Sequence, residues 1–114
     1  MDIEIISKPI DKKYLTEVAG NRFGDLVKAV VDIEREIMAI GGELHADEEQ
    51  ILLEQNSKQG NLWGINLYPE KMGEDFIEFD SMINIRPRQN NRSRGIEDKN
   101  VREKIIKIVE KLVK

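Results

Sequence analysis

Alternation of apolar and polar side chains between Phe76 and Arg86 is the feature that most constrains how this chain can fold. A period of two is typical of a strand with one buried and one exposed face. The largely apolar side holds Ile77, Phe79, Ser81, Ile83 and Ile85, and the other side holds Glu78, Asp80, Met82, Asn84 and Arg86. Pro87 lacks a backbone N–H and ends this predicted strand. Because a single hairpin is marginal in water, the chain must supply further strands.

Other segments supply these partners in the predicted order β-α-β-α-β-β-α. Alternation predicts the strands, and apolar residues at intervals of three and four predict the helices. Asp11, Asp47 and Asp98 are the predicted N-caps of the three helices, because a carboxylate can accept the N–H groups of a first turn. The strands are predicted at residues 2–6, 26–40, 61–68 and 76–86, and the helices at 12–19, 48–55 and 99–114. The last two strands are close enough in sequence to pair antiparallel.

Residues 26–40 fit a helix as well as a strand. Helical spacings of four, three, four and three relate Leu26, Val30, Ile33, Ile37 and Ile40. The alternation across the same segment and its adjacent β-branched valines favour a strand. We favour the strand, because the two strands later in the chain need a partner.

These elements predict an α+β protein in which a mostly antiparallel sheet has its helices packed on one face. A chain of 114 residues is expected to form a single domain over residues 1–114, because two cores would each be too small to bury enough apolar surface. The sequence has no cysteine and no apolar run long enough to cross a bilayer. We therefore expect a cytoplasmic protein without a membrane partner.

Charge is unevenly distributed along the chain, whose net charge is -4. Eight acidic residues and one base lie between Asp32 and Glu54, whereas four arginines and no acid lie between Arg86 and Arg94. An acidic chain argues against nucleic-acid binding over its whole surface. The basic segment is nevertheless a candidate contact for one anionic ligand.

The predicted ligand-binding residues are Asn84, Arg86, Arg92 and Arg94. Guanidinium groups donate hydrogen bonds in a fork that matches phosphate or carboxylate, and an asparagine can add neutral hydrogen bonds. This pattern predicts a non-enzymatic binding module for a phosphate-bearing molecule or a nucleic acid, with no cofactor. A second interpretation is that the arginines pair with the acidic segment of the same chain. We expect that structural role for Arg86 and a mobile, ligand-binding role for Arg92 and Arg94.

Two alternative functions stay open. His45 and Asp47, with a strand carboxylate such as Asp80, can be read as a metal-dependent enzyme site, although one histidine is few nitrogen ligands for zinc. An uncovered sheet edge at residues 2–6 can instead join copies of the chain or a partner protein. The sequence decides neither enzymatic activity nor oligomeric state.

Four sequence blocks resemble a known family. They are GGELHAD at residues 41–47, NLWGINLYP at 61–69, INIRP at 83–87 and NRSR at 91–94. Together they resemble a family of small uncharacterised prokaryotic proteins that form a domain of unknown function. The resemblance implies a prokaryotic, cytoplasmic protein with one domain, and it brings no activity, ligand or catalytic residue.

Overall fold

Five strands form one antiparallel sheet in the computed structural model, which describes residues 2–114. The strands are β1 (Glu4–Ile6), β2 (Val27–Asp32), β3 (Ile37–Ile40), β4 (Leu62–Leu67) and β5 (Ile77–Glu78), in the spatial order β1-β3-β2-β4-β5. The helices are α1 (Lys12–Gly20), α2 (His45–Glu54) and α3 (Lys99–Leu112). The α+β class and the edge position of the first strand are confirmed, and the element order differs from the prediction by one additional strand.

That additional strand arises because residues 26–40 form a hairpin, β2 and β3, in place of one strand. Asp32 makes the turn between them. Its Oδ1 accepts hydrogen bonds from the backbone N–H groups of Glu34 and Arg35 at 2.9 and 3.0 Å. Its Oδ2 accepts a bond from the Ser57 hydroxyl at 2.7 Å. A buried carboxylate that takes up turn donors reverses the chain here, so the preference for β structure over a helix is confirmed.

Helices cover both faces of the sheet, which corrects the expectation that they pack on one face. Leu15 of α1 and Ile105 of α3 pack with the odd-numbered residues of β2 and β4, such as Ile65. Leu52 of α2 packs on the opposite face with Val30. β2 and β3 are buried on both sides because α2 covers the apolar residues of this second face.

Two of the three predicted helix caps are confirmed. Asp11 accepts the Tyr14 N–H at 2.8 Å, and Asp98 accepts the Asn100 N–H at 2.8 Å. The prediction for Asp47 is wrong, because α2 begins at His45 and Asp47 lies within its first turn. The residue before α2 is Leu44, which has no side-chain acceptor. The helix starts earlier because the Leu44 carbonyl accepts the N–H groups of Asp47 and Glu48.

The long strand predicted at residues 76–86 is wrong beyond Glu78. β4 and β5 do pair antiparallel, with Asn66 opposite Glu78. After β5, Ser81 packs directly against Gly64. A Cβ added at Gly64 would lie 2.5 Å from the serine Cβ, which is too close for any side chain. The Asn84 side chain then accepts the Gly64 N–H at 2.8 Å and donates to the Gly64 carbonyl at 2.9 Å. An amide side chain thus occupies the edge of β4, and the Met82–Asn84 segment forms a 3₁₀ turn.

Candidate functional site

Arg86 is anchored inside the protein. One terminal nitrogen of its guanidinium lies 3.3 Å from Glu49 Oε2, and the two side chains are only 10% and 13% exposed. The guanidinium carbon also lies 4.8 Å from the centre of the Trp63 ring. Its N–H groups donate to the carbonyl oxygens of Gln59, Leu62 and Ile83 and to the Gln89 side chain. Glu49 belongs to the acidic segment, so the ion pair agrees with the expectation that Arg86 pairs with that segment in a structural role.

The other three predicted ligand-binding residues lie in different surroundings. Asn84 is fully buried and uses its amide for Gly64 and for the Arg94 carbonyl. Arg92 is exposed, and its backbone N–H donates to the Glu97 carboxylate at 2.7 Å. Arg94 is also exposed, but its side chain turns toward a cleft. The basic segment is therefore not one surface.

We call this cleft the polar cleft. It lies on the α2 side of the sheet and has a volume of about 230 Å³. Its lining residues are Lys28, Leu44, His45, Ala46, Asn66, Asp80, Ser81, Met82, Ile83 and Arg94.

Three parts of the chain converge on the polar cleft. Lys28 and Asn66 are direct cross-strand partners on β2 and β4. His45 is the first residue of α2, and its ring lies close to Gly64, where a Cβ would be 3.2 Å from the imidazole Cδ2. Asp80 follows β5. The bare backbone of Gly64 therefore lets α2 and the segment after β5 approach the sheet closely.

Two cations at the polar cleft have unused hydrogen-bonding capacity. The Nε of Arg94 lies 2.8 Å from Asp80 Oδ1, which leaves both terminal nitrogens of the guanidinium without a partner among residues 2–114. Lys28 forms no ion pair with any residue in that range, and its ammonium lies 5.2 Å from the centre of the Phe23 ring. Two positive charges and the Asp80 carboxylate give the cleft a net charge of +1, in a protein whose net charge is -4.

His45 contributes an uncharged imidazole. Its Nε2 lies 2.8 Å from the Ile65 carbonyl oxygen, and because that oxygen only accepts, Nε2 carries the proton. Burial lowers the pKa of the ring below 6.5, and the positive charge of Lys28 acts in the same direction. The Ile65 carbonyl, the Asn66 side chain and the Asp80 charge oppose this effect and favour the protonated ring. At neutral pH the lone pair of the ring therefore lies on Nδ1.

Asn66 has one buried atom without a hydrogen bond. Its Nδ2 group donates to Glu78 Oε1 at 2.9 Å and to the Asp80 carbonyl at 3.2 Å, which uses both N–H bonds and determines the orientation of the amide. Its Oδ1 is buried and has no partner among the described residues. A buried acceptor without a hydrogen bond costs about 1–3 kcal/mol of stability. A hydrogen-bond donor placed near Asn66 Oδ1 would therefore be stabilising.

Glu48 lies one turn after His45 and is fully buried. Its Oε2 accepts the Gly42 N–H at 2.9 Å, and its Oε1 has no partner in residues 2–114. Burial raises the pKa of this carboxyl well above 4.5, although the Gly42 hydrogen bond and the Lys28 charge both lower it. Burial therefore favours the protonated carboxyl in the folded protein.

The arrangement brings only part of the proposed metal site together. His45 and Asp80 both line the polar cleft, whereas Asp47 does not. Within residues 2–114, no three histidine, aspartate or glutamate side chains are grouped so that they could hold a metal ion. The donors present are better suited to an anion.

Lys28 and Asn66 were not predicted as site residues. Each is a polar residue in a strand whose neighbours are mostly apolar. An isolated polar residue on a buried strand is a signal that could have singled them out. Which polar groups meet across the sheet depends on the register between β2 and β4, and that register is not readable from either strand alone.

These features define a small α+β protein whose antiparallel sheet carries a positively charged cleft under the start of α2. Among residues 2–114, no helix combines the length and apolar character that a bilayer span requires. The chain belongs to the family described as "Protein of unknown function (DUF5674)", which matches residues 4–112. This confirms the predicted membership of a family of unknown function. No curated protein and no solved structure matches the chain.

Proposed function

We propose that this protein is a binding module for a small anionic ligand, carrying a carboxylate or a phosphate, which occupies the polar cleft. The observation that carries this proposal is the convergence of Lys28 and Arg94, two cations with unused donors, on one cleft of an otherwise acidic protein. Asp80 holds the guanidinium through Nε, so that the two terminal nitrogens are available to the ligand. Lys28 adds a second charge from the sheet.

Residues before and within the basic segment support this site indirectly. Asn84 donates to the Arg94 carbonyl at 3.0 Å, and Ser81 donates to the same oxygen at 2.9 Å, which holds the Arg94 backbone beside the cleft. Arg86 ties the same segment to α2 through Glu49. In this proposal Arg94 contacts the ligand, Asn84 and Arg86 hold the loop, and Arg92 lies outside the cleft.

Size favours a small molecule over a nucleic acid. A cleft of about 230 Å³ is smaller than the 300–1,000 Å³ typical of drug-sized ligands. A net charge of -4 also opposes the long-range attraction on which nucleic-acid binding depends. We further propose a cytoplasmic location, which is supported by the absence of cysteine from the sequence.

The proposal is tested by titrating the ¹⁵N-labelled protein with sodium sulfate and with sodium acetate at constant ionic strength. Sulfate represents phosphate chemistry and acetate represents carboxylates. We expect amide shifts at Lys28, His45 and Arg94. Replacing Arg94 with glutamine should weaken binding by about tenfold or more, because a charge-assisted hydrogen bond is lost.

Arg92→Gln is the matched control, since it removes the same charge two residues away and outside the cleft. It should leave the affinity nearly unchanged. The proposal is wrong if neither anion shifts the residues of the polar cleft at millimolar concentrations. It is also wrong if the Arg92 and Arg94 variants weaken binding equally, since binding would then reflect only the general charge of the loop.

A further inference from the structure

We infer that His45 takes up a proton when an anion occupies the polar cleft, so that the site is built for a dianion such as a phosphate monoester. This inference rests on the proposed function and specifies the ligand of the same cleft. It follows from the hydrogen-bonding state of two neighbouring side chains, His45 and Asn66.

The first observation is the unpartnered Asn66 Oδ1. Asn66 is only 7% exposed, and both of its N–H bonds are used by Glu78 and by the Asp80 carbonyl. The amide therefore cannot rotate to offer a donor in place of Oδ1 without breaking two hydrogen bonds. A donor for Oδ1 must come from a neighbouring group.

The second observation is that the neighbouring imidazole gains a second N–H donor when it is protonated. Nε2 of His45 is committed to the Ile65 carbonyl, so a second proton must go to Nδ1. The Asn66 side chain stabilises the protonated ring. Protonation of His45 therefore adds an N–H donor to a ring that neighbours the unpartnered amide oxygen.

Charge decides when this proton is taken up. The positive charge of Lys28 opposes protonation of the ring, and the negative charge of Asp80 favours it. Two other charged or titratable residues lie nearby: Arg94 lines the same cleft, and the fully buried Glu48 is on the same helix as His45. Burial by itself favours the neutral ring. An anion bound between Lys28 and Arg94 adds negative charge beside the ring and favours its protonation.

The protonated ring changes which ligand fits best. Lys28, Arg94 and a charged His45 against Asp80 give a net charge of +2, which matches a dianion better than a carboxylate. Leu44 and Met82 stand at the rim with 54% and 67% of their surface exposed. They can contact the organic part of a phosphate monoester, which free phosphate lacks.

His45 is the only histidine of the chain, so its titration can be followed without assignment ambiguity. We would record long-range ¹H–¹⁵N spectra of the ring from pH 5 to 8 with no anion, with sulfate, with acetate and with glycerol 3-phosphate. Sulfate remains a dianion over this range. We expect the free ring to be the Nε2–H tautomer at neutral pH and the sulfate-bound ring to carry protons on both nitrogens.

By linkage, sulfate should bind up to about tenfold more tightly for each unit of pH decrease while the ring titrates. Acetate should show a weaker dependence, and glycerol 3-phosphate should bind more tightly than sulfate at pH 8, where both are dianions. His45→Gln should still bind sulfate through Lys28 and Arg94, but without the pH dependence. If this variant does not fold, the ring spectra of the unmodified protein decide alone.

The outcomes separate this inference from the proposed function. If sulfate binds and the His45 ring stays neutral in the complex, the inference is wrong and the proposed function stands. If sulfate and acetate bind with the same affinity at every pH, the specificity for a dianion is wrong. If no anion binds the polar cleft, both proposals are wrong.

Discussion

The stability of a Glu48→Gln variant, relative to the unmodified protein, should increase as the pH rises. Glu48 is fully buried, and burial raises the pKa of its carboxyl well above the usual 4.5. Above pH 4.5 the unfolded chain releases this proton while the folded protein keeps it. Folding therefore costs more free energy at higher pH, and this cost rises until the raised pKa is reached.

The magnitude follows from linkage. One proton retained on folding lowers the free energy of unfolding by about 1.4 kcal/mol for each pH unit between the two pKa values. Glutamine has the same shape, its oxygen can accept the Gly42 N–H in the same way, and it does not titrate in this range. It adds one buried N–H bond, which costs about 1–3 kcal/mol at any pH if unpaired. Relative to the unmodified protein, the variant should therefore be less stable at pH 4 if that N–H bond is unpaired, and the difference should shift in favour of the variant as the pH rises above 4.5.

Urea denaturation from pH 4 to 7.5, followed by the fluorescence of the single buried Trp63, measures both free energies. The His45 ring contributes an opposite trend, since its lowered pKa makes folding less favourable as the pH falls below 6.5. This trend is present in both proteins and cancels in their difference. Glu54→Gln, at an exposed position of the same helix, controls for the change in net charge. If the difference between Glu48 and glutamine is constant across this range, the reasoning about Glu48 is wrong.

Three other substitutions or measurements follow from the same contacts. Arg86→Gln should lower the free energy of unfolding by about 3 kcal/mol, because it leaves the Glu49 carboxylate, whose side chain is only 13% exposed, unpaired. In urea denaturation Arg92→Gln should change it by less than about 0.5 kcal/mol. Equal losses would contradict the structural role of Arg86. Gly64→Ala should lower the free energy of unfolding by about 1–3 kcal/mol or more, because the added methyl group overpacks the contact with Ser81. Gly20→Ala is the control and should not destabilise the protein, since no atom lies within 4 Å of the added Cβ. A Gly64→Ala variant as stable as the unmodified protein in thermal unfolding would contradict the close approach at β4. The His45 ring should titrate below 6.5 in the unliganded protein, as measured by NMR, because its burial disfavours the charged form.

Local sequence signals were sufficient where an element is defined by its own residues. The helices α1 and α3 follow from apolar spacing and from the caps Asp11 and Asp98, both of which make the predicted hydrogen bond. The strand β4 follows from alternation ended by Pro69. The choice of β structure for residues 26–40 is also correct. The turn at Asp32 is not predicted, and part of what holds it is distant in sequence, because the buried carboxylate also accepts from Ser57, 25 positions away.

The roles of the arginines depended on residues distant in sequence. Arg86 is held by Glu49, which lies 37 positions away, and Arg94 is held by Asp80. Both carry the same charge in the same segment, so composition alone cannot separate them. The fold separates them, because one guanidinium is enclosed beside Trp63 and the other has its terminal nitrogens free at the polar cleft.

Gly64 explains why the strongest sequence signal failed and why the polar cleft exists. The alternation from Phe76 to Arg86 would have continued as a strand if β4 had presented an ordinary edge and surface. At Gly64 there is no side chain, so Ser81 occupies the space where a Cβ would stand, and the His45 ring lies 3.2 Å from that position. The Asn84 amide then takes both backbone groups of Gly64 and excludes a paired strand. With no strand paired here, the segment after β5 brings Arg94 to the polar cleft, which Lys28 also lines.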